Sequence, residues 1–224
     1  MKFQTTTSDT GVLWNDGKGR FQFKPLPVES QLAPSYGSLI SDFNADGNAD
    51  ILLAQNDYAR SPELGPSTAG TALLLLGDGK GGFVMMPLQQ SGLRVFDEMR
   101  SLALMRREGD LAPGLIFGIH HGAPKLFKSR QDNKRWSIRL VGQPGNLRAS
   151  GSRLEVEFKS GEKRYYEIHA KSGYASQSSP MISFPHDPSS NASVKLRVIW
   201  PKGRISEHSI QPDDQREYEV TEPE

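Results

Sequence analysis

Apolar and polar residues alternate through much of the second half of the chain. Trp136, Ile138 and Leu140 alternate with polar neighbours, as do Leu154, Val156 and Phe158, then Leu196, Val198 and Trp200, then Tyr218 and Val220. A period of two turns one face of a strand to a core and the other to water. Turn sequences separate these runs: GQPGN at 142–146, KSGEK at 159–163 and WPKGR at 200–204. The pattern predicts a small antiparallel β-sandwich or barrel-like domain over 135–224. No segment carries a convincing helical period, so the expected fold class is all-β.

The first half repeats itself. LWNDGKGRF at 13–21 and LLGDGKGGF at 75–83 are near copies, 62 residues apart at Asp16 and Asp78. Each joins a β-run to a glycine-rich tight turn and restarts a strand on an aromatic residue. A second pair, SLISDFNADGNADILLA at 38–54 and ALMRREGDLAPGLIFG at 103–118, is offset by 64 residues at Ile51 and Leu115. Two nearly equal offsets predict a structural repeat. HGAPKLFKS at 121–129 reads as a third, degenerate copy of the turn element. The polar stretch 55–70 reads as a loop. The polar run SRQDNKR at 129–135 sets the expected boundary between residues 1–134 and 135–224.

Composition adds exclusions. The chain has 224 residues and a net charge of +1; residues 1–134 hold 14 basic and 14 acidic side chains, and the remainder 13 and 12. Neither part is basic enough to favour nucleic acid. With no cysteine, disulfides and thiolate metal sites are excluded. No apolar run is long enough to span a membrane. The N-terminal MKFQTTTSD lacks the apolar core of a signal peptide. The chain is therefore expected to stay inside the cell or to be a fragment whose export signal lies elsewhere.

The chemistry concentrates in Asp42-Phe-Asn44-Ala-Asp46-Gly47-Asn48-Ala-Asp50. Oxygen side chains fall at loop positions 1, 3, 5 and 9, Gly47 permits a sharp bend, and Asn48 would add its backbone carbonyl. Hard cations such as Ca²⁺ take six to eight oxygens, and three crowded carboxylates repel without one. The expected metal ligands are Asp42, Asn44, Asp46, Asn48 and Asp50. The loop is no EF-hand, because Leu53 stands where the bidentate Glu belongs. Carried forward by 64, the ligand positions become Arg106, Glu108, Asp110 and Gly114, so the second loop is expected to hold no metal, with Arg106 paired to Glu108 or Asp110. His120 and His121, if neighbours on a strand, would point to opposite faces and could not easily share a metal, so a loop or strand-end role is expected of them.

The D-x-N-x-D-G-x-x-D loop, its apolar strand and the later L-x-x-D-G-x-G-x-F turn resemble the FG-GAP/VCBS repeat over about residues 11–130. That resemblance implies two to three blades of a partial β-propeller. IRLVGQPGNLRASGSRLEVEF, SGYASQSSPMISF and LRVIWPKGR resemble the ASPIC/UnbV domain, which follows such repeats in secreted and surface proteins such as cartilage acidic protein. The chain departs from that pattern at Pro185-His186-Asp187-Pro188, where a glycine-rich stretch is usual, and in the missing carboxylates of the second repeat. The resemblances imply an extracellular, cell-surface or periplasmic location. They also imply a non-catalytic, calcium-binding adhesion or scaffold role. The implied partner is a protein or extracellular matrix or glycan, with the remaining blades of a longer chain as another. A carbohydrate-binding accessory module is the alternative, and part of an enzyme the weakest reading. SGYASQSSP at 172–180 lacks the nucleophile elbow and reads as a structural turn with Tyr174 packed.

Overall fold

The computed structural model describes residues 5–106, 110, 112–129, 135–185, 193–211 and 217–224. Strand is their dominant regular structure. Strand β1 (Gly11–Asn15) and β2 (Phe21–Pro25) form a hairpin across the first Asp-Gly-Lys-Gly turn. Four strands, β3 (Ser35–Ser41), β4 (Asp50–Gln55), β5 (Ala72–Gly77) and β6 (Phe83–Met85), build an antiparallel sheet in chain order. A third sheet is β7 (Met99–Met105), β8 (Gly114–Ile119) and β9 (Lys125–Phe127). Among the described residues, helix is confined to a 3-10 turn at Val28–Gln31 and α1 at Leu88–Ser91.

The repeat is written into strand register. Leu13 faces Phe23 as Leu75 faces Met85; Trp14 faces Gln22 as Leu76 faces Val84; Asn15 faces Phe21 as Gly77 faces Phe83. The turns match as well. Asp16 Oδ1 accepts the N–H groups of Lys18 and Arg20 at 2.7 and 3.1 Å, and Asp78 Oδ1 those of Lys80 and Gly82 at 2.7 and 2.8 Å. Pair for pair, β7–β8 reproduces β3–β4 at an offset of 64, including the bulge at Ser35/Gly37 that returns at Met99/Ser101. Strand β9 takes beside β8 the place β5 takes beside β4.

The three sheets stack through two apolar layers. Leu73 and Leu75 of β5 join Ile51, Leu53 and Leu26 in one layer, against which Val12 of the hairpin packs. Ala72 and Leu74, on the other face of β5, join Leu52, Leu102 and Phe117 in the next. Strand β5 is therefore buried on both faces, which explains its unbroken leucine run.

The C-terminal residues form two sheets over one core. In the first, β10 (Arg135–Val141) lies between β13 (Ile182–Pro185) and β16 (Glu217–Thr221). The second runs β12 (Lys163–Glu167), β11 (Arg153–Glu157), β14 (Val194–Ile199), β15 (Ile205–Ile210). Trp136, Phe184, Leu154, Val198 and Trp200 meet between them, with Trp136 and Phe184 edge to face at 6.0 Å. The expected antiparallel arrangement needs one correction: β16 runs parallel to β10. The chain leaves β15 in one sheet and enters β16 in the other, and such a crossover is free of the hairpin's antiparallel constraint. Among the described residues, none of the sheets closes into a barrel. The expected boundary run falls partly outside the described residues, and His186, Asp187, Pro188 and Glu108 lie outside them.

Candidate functional site

The 42–50 segment links β3 to β4 in a tight coil. Ala45 and Gly47 both take positive φ, 62° and 97°; Gly47 does so at no steric cost. Successive side chains then fold back on the backbone. Asp42 accepts the N–H of Asp46 at 3.2 Å on Oδ1 and that of Gly47 at 2.9 Å on Oδ2. Asn44 Oδ1 also accepts the Asp46 N–H at 3.0 Å, and its amide donates to Asp46 Oδ2 at 2.8 Å. Asp46 Oδ1 accepts the Asn48 N–H at 2.8 Å. Asp50, wholly buried, accepts the N–H of Phe43 at 2.8 Å and that of Gly77 at 3.0 Å.

Burial raises the pKa values of Asp50 and Asp42 above the ordinary range. Backbone donors oppose the rise at both, while the charges of Asp42 and Asp46 add to it at Asp50. Asp42 and Asp50 thus both feel the charge of Asp46, and positive charge arrives from the C-terminal residues. A guanidinium nitrogen of Arg164 on β12 stands 3.6 Å from Asp42 Oδ2, and Arg135 on β10 donates to the Asp42 carbonyl. Neither arginine is near the loop in sequence, and no local signal announces them. Beside the loop lies a cavity of about 390 Å³, lined by Asp42, Asn44, Leu52, Leu74, Phe127 and Arg135 among others.

In chemical kind the loop fits a hard divalent cation: its donors are all oxygens, and three are carboxylates. In arrangement the carboxylates are turned onto backbone amides and Arg164. Among the described residues, no three acidic or histidine side chains stand together as a ready metal cluster. Asn48 aims its side-chain oxygen at Gly79.

The second loop differs as its sequence does. Arg106 occupies the first ligand position, but it does not pair with the Asp110 carboxylate. Its Nε donates to the Asp110 backbone carbonyl at 2.8 Å, and its guanidinium pairs with Glu217. Lys128 contacts the Asp110 carboxylate at 2.9 Å. Reach explains the change: Glu217 of β16 faces Arg106 from the C-terminal sheet.

A second constellation was invisible in the sequence. Glu98 is buried and pairs with Arg100 and with His120 Nδ1, the latter at 2.7 Å. Arg100 also contacts Asp57 at 2.9 Å and lies 4.0 Å from the centre of the Tyr36 ring, while the Tyr36 hydroxyl donates to Asp57 at 2.8 Å. Four separate segments supply these groups. His120 and His121 sit in the turn after β8, the loop or strand-end place expected of them, with ring centres 4.1 Å apart. Tyr174 corrects another expectation. It is 63% exposed and leans on Tyr36 at 6.3 Å, because its loop is held by Ser172, Ser176 and Gln177 bonding to each other and to backbone. The same loop grips β7: Leu104 N–H donates to Ser178 Oγ at 3.0 Å, and Ser179 N–H to Leu104 O at 2.9 Å.

Residues 142–224 match the family described as ASPIC and UnbV. The match covers the C-terminal sheets from the end of β10 onward. No curated protein matches the chain. No helix among the described residues is long and apolar enough to cross a membrane.

Proposed function

We propose that this chain is a calcium-stabilised, non-catalytic interaction module of an exported or surface protein. Its stacked sheets act as consecutive blades of a partial β-propeller of the FG-GAP/VCBS kind. Asp42, Asn44, Asp46, Asn48 and Asp50 would hold one Ca²⁺, and the ion would supply the counter-charge that three mutually repelling carboxylates lack. The observation that carries this reading is buried Asp50, whose pKa is raised by burial and by Asp42 and Asp46 at the end of an all-oxygen loop. Calorimetric titration with Ca²⁺, with melting in calcium and in chelator, tests it on wild type and Asp46→Ala. One binding event and a calcium-raised Tm, both lost in the variant, support the reading. Absence of heat and of a Tm shift would reduce the loop to a polar turn.

The exposed Tyr174 beside Tyr36, with Arg100 and Asp57 beneath, favours a second reading as a carbohydrate-binding accessory module. Glycan-array binding lost in Tyr174→Ala would support it.

A further inference from the structure

The hairpin β1–β2 is one half of a unit that the chain elsewhere shows whole. Its register and its Asp-anchored turn are those of β5–β6. In the whole unit, β5 has a second neighbour: β4 pairs along its other edge, Ile51 facing Leu75 and Leu52 facing Leu74. Among the described residues, strand β1 pairs with β2 alone. The same contrast holds in burial. Leu75 is fully buried, whereas its equivalent Leu13 is 64% exposed; Phe21, the equivalent of half-buried Phe83, is 62% exposed. Leu75 belongs to the layer between β5 and the preceding hairpin. Leu13 therefore occupies a position built for an apolar layer that none of the described residues supplies.

We infer that the open edge of β1 is a strand-acceptor site, and that its occupant is an apolar β-hairpin of the β3–β4 pattern. The occupant adds its second strand antiparallel to β1, as β4 adds to β5. Main-chain hydrogen bonds along an exposed edge supply affinity, and alternate side chains supply selectivity. Register specifies the contact: a residue equivalent to Ile51 lies opposite Leu13, and one equivalent to Leu52 opposite Val12. The residue equivalent to Asp50 reaches the N–H of Asn15, as Asp50 reaches that of Gly77. An isolated two-stranded hairpin is marginal in water, so this edge gains most from being filled. The inference does not depend on calcium.

The test uses the full chain and a labelled synthetic peptide of residues 38–54, SLISDFNADGNADILLA, in fluorescence anisotropy with and without chelator. The expected result is saturable one-to-one binding and slowed amide exchange at Val12–Asn15. Leu13→Lys should weaken binding at least tenfold with its melting temperature unchanged, because the side chain already faces water and a charge there opposes strand addition. A peptide carrying Pro at positions 51 and 53 should not bind. No binding by the wild type, or binding that Leu13→Lys leaves unchanged, overturns the inference. Concentration-dependent self-association that Leu13→Lys abolishes, without peptide binding, gives the edge to a second copy and overturns it equally.

Discussion

The carboxylate of Asp50 accepts the backbone N–H of Gly77 at 3.0 Å, tying the start of β4 to the end of β5. Its other oxygen accepts the N–H of Phe43 at 2.8 Å. One side chain thus fastens the acidic loop to the glycine-rich turn, so the two motifs that repeat along the sequence meet in space. Gly77 is forced by this closeness, since a methyl group there would run into the carbonyl oxygen of Ala49.

Asp50→Asn is therefore expected to destabilise the protein in calcium-free buffer by about 1–3 kcal/mol, because its NH₂ would face one of two buried N–H donors and leave it unpaired. Gly77→Ala is expected to cost roughly 1–3 kcal/mol by overpacking against backbone. Urea unfolding of both variants checks this. Wild-type midpoints would mean that the clamp contributes nothing.

Acidity should register at the same carboxylate. Burial raises the pKa of Asp50 in the folded state, with Asp42 and Asp46 adding to the rise. The folded protein then holds the proton more tightly than the unfolded chain. That contribution to stability is fully present below the unfolded value of about 3.9 and is lost as pH rises through the raised folded value. Chelator-treated wild type should lose stability relative to Asp50→Asn across that window. A pH-independent difference in Tm between the two would contradict the assignment.

Arg164 and calcium should compete. The guanidinium lies 3.6 Å from Asp42 and is mostly buried, so with Arg135 it supplies the loop's resident positive charge. Arg164→Met should tighten calcium binding about fivefold to tenfold, equivalent to about 1 kcal/mol or slightly more, while lowering the chelator-treated Tm. Weaker calcium binding in this variant would show instead that Arg164 shapes the loop.

The repeats were legible because their chemistry is local. Asp16, Asp78 and the bonds among Asp42, Asn44, Asp46 and Asn48 are made within a few residues, and their spacing survives into register and bulges, whereas the reach of Asp50 to Gly77 spans 27 positions. The parallel pairing of β10 with β16 was not legible, because alternation gives the buried face of a strand and not its neighbour's direction. Nor could spacing find Arg135 and Arg164 at Asp42, which lie 93 and 122 positions on. Tyr174 was expected to pack, yet nothing in SGYASQSSP distinguishes a ring leaning on Tyr36 from one enclosed by a core.

Arg100 offers the sharpest test of the network that spacing could not find. It stands between buried Glu98 and Asp57, and its side chain is one-quarter exposed. Burial works against the charge on Glu98, but hydrogen bonds from His120 and the Tyr58 backbone and the charge of Arg100 outweigh it and hold the pKa below the usual glutamate range. Arg100→Met keeps the length of the side chain and removes the charge from both carboxylates. The expected loss is about 3 kcal/mol, the lower end of the range for breaking a buried ion pair, because Arg100 is partly wet. The double variant Arg100→Met with Glu98→Gln should recover part of that loss by removing the stranded charge. Additive losses in urea unfolding would mean that the two side chains act independently, and that the short contact between them carries no coupling.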